Sequence, residues 1–236
     1  MVQVILTGEP SARPLTLRLR FQKVGPLRYI SHLDLTRVFT RALIRSGIPV
    51  WYTQGYNPIP KLDFATPLSL GTESVCEYLD VRITCPVDTD SVQECLSSVL
   101  PRELAVDQVY YPETKFTEIA YSSYTVEIVS PLIRENAGAE CRRLLDAEQI
   151  VVMRKSKKGD HEEDIKPLVK AASVIGETGK LTVELCMACG KLVSIKPEYL
   201  VDYLVSNLGV FDGHIDRQYY EIRRTAVYTE EMREFK

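Results

Sequence analysis

A chain of 236 residues with 45% hydrophobic and 26% charged side chains, 12 Gly, 13 Pro and six Cys has globular composition. That is enough apolar material for one large domain or two small ones without disulfides or a structural metal, and it excludes disorder, collagen-like repeats and a knottin-like scaffold. The net charge of -3 conceals an asymmetry: residues 1–62 carry nine Lys/Arg against two acids, and the remainder carries 20 bases against 30 acids, a distribution that points to an anionic partner.

No apolar run approaches the roughly 20 residues of a membrane helix, and the first ten residues lack the basic and apolar regions of a signal peptide. The expected location is cytoplasmic, with no membrane partner. Along the chain, residues 15–21 alternate strictly, which predicts a half-buried strand with Leu15, Leu17, Leu19 and Phe21 on one face and Arg18 and Arg20 on the other. A turn at Gly25 and Pro26 follows. Ser31 and Asp34 read as a capping box, opening a helix that runs to Gly47 with Pro49 just beyond.

A strand is predicted at 50–53, a Pro/Gly-rich loop at 55–71, a strand at 76–83, a helix at 88–100 stopped by Pro101, and a strand at 104–111. This β-α-β-β-α-β order is that of a ferredoxin-like unit. The second half repeats it: a strand at 121–130, a helix from Pro131 to Asp146, a short strand at 150–153, a charged loop at 154–164, a hairpin of 165–175 with 181–186, a helix from Pro197 to near Gly209, and a last strand at 215–227. The expected fold is therefore α+β, two tandem ferredoxin-like halves with antiparallel sheets, residues 1–112 and 121–236.

On the first helix, Leu35, Phe39, Ala42 and Ser46 share the core face, with Val38 and Leu43 at its margins. Asp34, Arg37, Arg41 and Arg45 fall within about 80° of each other on another side, a stripe along ~15 Å of helix. Guanidinium groups suit bidentate phosphate contact and base stacking, so the stripe is a candidate RNA-binding face. The alternative is a solvated face in which Asp34 pairs with Arg37 or Arg41. His32, at the helix start, is the one candidate general acid or base, and with Asp34 it would shape a pocket.

The loop at 54–61 adds Tyr56 as a stacking face, Asn57 as an amide and Lys61 as a charge, stiffened by Pro58 and Pro60. Its alternative role is a rigid crossover in which Tyr56 and Phe64 plug the core. Cys186 and Cys189 form the one C-x-x-C, without the second pair or histidines that structural zinc needs, and read as core or strand-end residues. The three-cysteine pattern of an iron–sulfur cluster is absent because position 182 is Thr. No Walker A, dinucleotide-binding glycine motif, H-E-x-x-H or G-x-S-x-G occurs, and the three histidines have no ligand spacing. No metal is expected.

The runs RFQKVGPLRYISHLDLTR at 20–37, RALIRSGIPV at 41–50, GYNPIPK at 55–61 and PLSLGTES at 67–74, with Glu77 and Asp80, resemble the uncharacterised radical SAM-linked protein family. DIKPL at 164–168 and IKPEY at 195–199 extend the resemblance, while Asp63 and Ser69 stand where the family has Ser and Pro. The resemblance implies a domain of unknown function that occurs fused to, or encoded beside, a radical SAM protein. S-adenosylmethionine and an iron–sulfur cluster would sit on that partner and no cofactor on this chain.

The expected function is that of an accessory protein holding RNA, tRNA or ribosomal RNA, for the radical SAM partner, with no DNA expected. Arg37, Arg41, Arg45 and Lys61 would meet phosphates, Tyr56 would stack a base, and Asn57 would help shape the pocket. Two alternatives stand beside it. One is a metal-independent ribonuclease using His32, similar in outline to repeat-associated RNA-processing proteins of CRISPR systems, and the other is a protein-only adaptor docking the radical SAM protein.

Overall fold

The computed structural model describes residues 3–155, 159–190, 193–213 and 216–236. The chain divides into two compact units, Met1–Phe116 together with Lys236, and Thr117–Phe235. Both are mixed α+β. Among the described residues there are four α helices, and the strand pairings within each unit are antiparallel.

In the first unit the order is β1 (Leu15–Lys23), α1 (His32–Arg45), β2 (Leu62–Phe64), β3 (Thr72–Ile83), α2 (Thr89–Val99) and β4 (Val106–Tyr110). Strand β1 lies between β4 and β3, and β2 pairs with β3. The alternation of β1 drives this arrangement. Leu17, Leu19 and Phe21 are wholly buried against Leu35, Phe39 and Leu43 of α1 and Val92 and Leu96 of α2, and the Phe21 and Phe39 rings lie 4.6 Å apart. Asp88 caps α2 by accepting from the Ser91 amide at 2.8 Å.

The other face of β1 differs from what a half-buried strand leaves to solvent. Arg18 is 0% exposed. Register places it opposite Asp80 of β3, and the two side chains pair bidentately, Nε to Oδ1 at 2.7 Å and Nη2 to Oδ2 at 2.9 Å. Its Nη1 donates to Thr114 Oγ1 at 2.9 Å and to the Lys236 carbonyl at 3.1 Å, while Phe116 covers the guanidinium at 4.5 Å. Arg20 pairs with Asp107 at 3.0 Å.

Two elements of this unit depart from the sequence expectation. Residues 50–53 make single bridges, Val50 to Ile83 and Tyr52 to Pro60, rather than a strand, because Pro49, Pro58 and Pro60 remove the amides that a ladder needs. The loop expected at 55–71 contains β2, in which Leu62 and Phe64 point inward and pack on the core while Asp63 is exposed.

The second unit runs β5 (Ile119–Val129), α3 (Ala137–Leu145), β6 (Val151–Arg154), β7 (His161–Asp164), β8 (Val169–Glu177), β9 (Lys180–Ala188), α4 (Pro197–Leu208) and β10 (Tyr219–Thr229). The sheet order is β10-β5-β9-β8, and β6 and β7 form a separate hairpin. Its core joins Val126, Ile128, Val183 and Leu185 of the sheet to Cys141, Leu145, Leu200 and Leu204 of the helices. Gly138 of α3 sits directly on Gly176 of β8, where a Cβ on Gly176 would lie 2.7 Å from the Gly138 Cα. Helix α4 begins at Pro197 and ends at Gly209, which is left-handed at φ 61°.

Helix α3 starts at Ala137 rather than at Pro131. Ser130 accepts from the Leu132 amide through its hydroxyl and from the Ile133 amide through its carbonyl, winding residues 130–133 into a turn first. Part of the charged loop expected at 154–164 is strand β7, where Arg154 pairs with Glu163 at 2.7 Å. Residues 156–158 of that loop, and His214 and Ile215 at the expected start of the last strand, lie outside the described residues. The six cysteines are buried, and burial pushes the Cys141 thiol up to about 11. No described helix is long and apolar enough to cross a membrane.

The Arg18–Asp80 pair yields the first prediction. Asp80→Ala leaves a guanidinium buried without its counter-charge and should cost about 3–5 kcal/mol in urea unfolding. Replacing both residues with apolar ones (R18M/D80L) should recover most of that loss, and a double variant as unstable as the single would refute the assignment of the cost to an orphaned charge.

Candidate nucleic-acid interface

The arginine stripe is held by the capping chemistry at the start of α1. The Ser31 hydroxyl accepts from the Asp34 amide at 3.1 Å and donates to the Asp34 carboxylate at 2.7 Å, so Ser31 caps the helix while the carboxylate returns to its hydroxyl and not to its amide, half of the expected capping box. Asp34 is also paired with Arg37 at 2.9 Å, with both side chains more than half exposed. The Ser31 hydrogen bond, followed by that of Arg37, holds the Asp34 carboxyl below the usual carboxylate range. Leu35, Phe39, Ala42 and Leu43 bury the opposite face, and Gly47 at φ 71° turns the chain out of the helix.

Arg41 and Arg45 are exposed and make no ion pair among the described residues. Leu33 and Ile44, which are 59% and 51% exposed, flank the stripe on its Arg37 side. The arginine stripe is thus amphiphilic. A helical wheel places Leu33 and Ile44 within about 40° of Arg37, so the sequence held this signal. His32 is exposed and meets the Phe64 ring edge-on at 5.0 Å, with no hydrogen bond to its ring among the described residues.

The segment after α1 forms a narrow projecting loop. Trp51 donates its amide to the Arg82 carbonyl at 2.7 Å, Lys61 to the Trp51 carbonyl at 3.0 Å, and Thr53 to the Ile59 carbonyl at 2.9 Å. The Thr53 hydroxyl accepts from the Ile59 amide at 3.2 Å, closing the tip. Residues 54–58 are exposed, and Tyr56 is 99% exposed. The reading of Tyr56 as a core plug is therefore overturned. Phe64 does fill the core, 6.0 Å from the Phe39 ring. Asn57 and Lys61 are also exposed. The site residues thus fall into two groups, His32, Asp34, Arg37, Arg41 and Arg45 on the helix, and Tyr56, Asn57 and Lys61 on the loop.

Behind the helix start lies a polar bracket that the sequence did not single out. Glu73, buried at the start of β3, accepts from the Gly25 amide at 2.8 Å and faces Arg28 at 3.6 Å. Lys23, also buried, donates to the Arg28 carbonyl at 3.3 Å, and the Gly71 amide donates to the same carbonyl. The bracket fixes the 3-10 turn Gly25–Tyr29 that leads into Ser31, which explains why the 20–37 and 67–74 runs belong together. Cys186 and Cys189 are buried at the end of β9, the Ser122 hydroxyl lies 2.9 Å from the Cys189 sulfur, and no cluster of three metal-ligating side chains forms among the described residues.

Comparison with known proteins identifies the family. A profile covering residues 16–197 matches, and the chain belongs to the family described as an uncharacterized protein conserved in bacteria (DUF2344). No curated protein matches. Among solved structures, a chain of a Cbf5-Nop10-Gar1 complex is similar at 10% identity and a TM-score of 0.50, over 98% of this chain and 60% of that one. Chains of an archaeal box H/ACA sRNP Nop10-Cbf5 complex and of an H/ACA RNP bound to a substrate RNA containing 2'-deoxyuridine match at TM-scores of 0.47 and 0.48, with 10% and 9% identity. They are covered over 57% and 58% of their length, and 95% and 98% of this chain is matched. This chain therefore spans less than two thirds of each of these structures, and what it shares with the first is a fold.

The cap geometry is testable by titration. A group with a depressed folded-state pKa stabilises the fold above its unfolded pKa, and that contribution is lost as pH falls through the folded pKa. Carboxyl NMR should therefore find the Asp34 midpoint below that of an unperturbed aspartate. Ser31→Ala should raise the midpoint most and Arg37→Ala less, whereas an unchanged midpoint in Ser31→Ala would remove the hydroxyl as the main cause.

Proposed function

We propose that this member of the family binds single-stranded or unpaired RNA through the arginine face of α1 and the Tyr56 loop. The observation that carries the reading is the pairing of unbridged surface cations with an aromatic ring offered wholly to solvent. A fully exposed tyrosine at a stiffened tip gains nothing from folding and suits stacking on a splayed base. Arg41, Arg45 and Lys61 meet phosphates, Arg37 joins them from its exchangeable pair with Asp34, and Asn57 donates or accepts at a base edge. His32 and Asp34 shape the helix end of the site.

Each unit is read here as a ferredoxin-like half, supported by the four-strand order β4-β1-β3-β2 in one and β10-β5-β9-β8 in the other, with β6 and β7 inserted in the second. The resemblance to the radical SAM-linked family supports a radical SAM protein as the partner that performs chemistry on the bound RNA, tRNA or ribosomal RNA. A second reading, the protein adaptor, is favoured by the exposed Leu33 and Ile44 beside the arginines, since apolar side chains contribute little to phosphate binding.

Fluorescence anisotropy against unstructured RNA and total tRNA, repeated across salt concentrations, separates the two. RNA binding should weaken with salt, and Arg41→Ala/Arg45→Ala should lower the slope of log affinity against log salt by about 0.7 per lost phosphate contact. Tyr56→Ala should weaken binding by about 1–3 kcal/mol with the slope unchanged. Absence of RNA binding, with co-purification of a radical SAM protein that Leu33→Ser/Ile44→Ser abolishes, would establish the adaptor instead.

A further inference from the structure

Strand β8 ends the sheet of the second unit with an edge that nothing covers among the described residues. Its ladder runs to β9 alone, and no other described backbone group bonds to residues 170–177. Sheet edges are ordinarily blunted by short length, prolines, charges or bulges. The β4 edge of the first unit follows that rule, with five residues, a charged Asp107 and the Gln93 amide donating to the Asp107 carbonyl at 3.0 Å. Strand β8 does not. It has nine residues and no proline, and its bulge is confined to Lys170, leaving the uncharged run from Ala171 to Gly176 straight.

Residues 170–173 are exposed, as is Ile175 at 64%. The Gly138–Gly176 contact seats α3 on one face of the strand and leaves its outer edge open.

We propose that β8 is the seam of a homodimer, in which two copies pair antiparallel about a two-fold axis through Ser173. The occupant follows from the strand's own sequence, because a two-fold interface demands that one segment complement itself. About Ser173, Ile175 of each copy faces Ala171 of the other, and Val174 faces Ala172. Large side chains therefore meet small ones at four positions on the two faces, and serine meets serine at the axis. The charges agree in sense, since antiparallel pairing brings the Lys170 end of one copy beside the Glu177 end of the other, whereas parallel pairing would set like charges together.

The exposed surface of α3 beside the seam carries Glu140, Arg142 and Arg143, a mixed-charge surface compatible with its own copy. Main-chain hydrogen bonds along the seam would supply affinity and the alternating side chains register, as in other strand additions.

Sedimentation velocity on the full chain across the micromolar range tests the proposal. The expected species has twice the 26.8 kDa chain mass, and its amides at 171–175 exchange hydrogen more slowly as concentration rises. Ile175→Lys, at an exposed position, should keep the circular dichroism and melting of the parent while weakening the dimer about tenfold or more, a loss of ~1.4 kcal/mol. Adding Ala171→Glu to that variant should restore dimerisation, because the ammonium introduced in one copy then meets the carboxylate introduced in the other across the axis. A chain that stays monomeric throughout the range, or a dimer indifferent to Ile175→Lys, would overturn the proposal.

Discussion

The antiparallel register of β1 on β3 is the constraint on which the first unit depends. It sets Arg18 opposite Asp80, and the bidentate pair is buried with its remaining donors met by Thr114 and Lys236. A register slip of one residue would turn Leu17, Leu19 and Phe21 out of the core and leave that guanidinium without its acid. Apolar burial supplies the driving force, and the ion pair supplies the penalty for every wrong alignment. The same pairing draws Glu73 against Gly25 and Arg28, so the geometry in front of α1 is a consequence of the β1–β3 alignment.

This constraint changes the meaning of the charge asymmetry. Counted along the sequence, the first 62 residues carry nine bases and two acids. In the fold, Arg18, Arg20 and Arg28 are met by Asp80, Asp107 and Glu73, all of which lie beyond residue 62. Linear counting assigned the acids to another part of the protein because strand pairing is non-local. The surface that keeps a positive character is narrower than the count suggested: apart from the exposed Arg13 ahead of β1, it lies on the outward face of α1 and the loop after it.

Features governed by neighbours in the chain were legible in the sequence. The Ser31 cap on the Asp34 amide, the left-handed glycines at 47 and 209 and the proline that opens α4 each follow from local backbone chemistry. The alternation of β1 identified its core face. The misreadings share a different cause. Strand β2 is three residues long and exists because β3 offers it an edge, and β7 hides in a charged run because it is strand only through its pairing with β6. Pro131 is a sound helix opener, yet the hydroxyl of Ser130 captures the following amides first. In the candidate site, the identities of Arg41, Arg45 and Tyr56 were legible, as was the place of Leu33 and Ile44 beside Arg37 on the helical wheel, but the exposure of Tyr56 was not, because a proline-stiffened loop can turn an aromatic ring inward or outward.

Exposure is what distinguishes the two open surfaces from the rest of the molecule. Tyr56, 99% exposed on a loop closed by Thr53 and Ile59, adds no packing energy to the unit that carries it. The β8 edge has the same character in backbone form. Its outer row of peptide groups has no backbone partner among the described residues and contributes nothing to the unit that carries it. In both places hydrogen bonds hold the backbone that carries the open group, and a segment ordered before binding loses less conformational entropy when a partner arrives. That backbone order presents a ring and cations in one unit and a strand edge in the other, which separates the surface proposed for RNA from the edge proposed for a second copy.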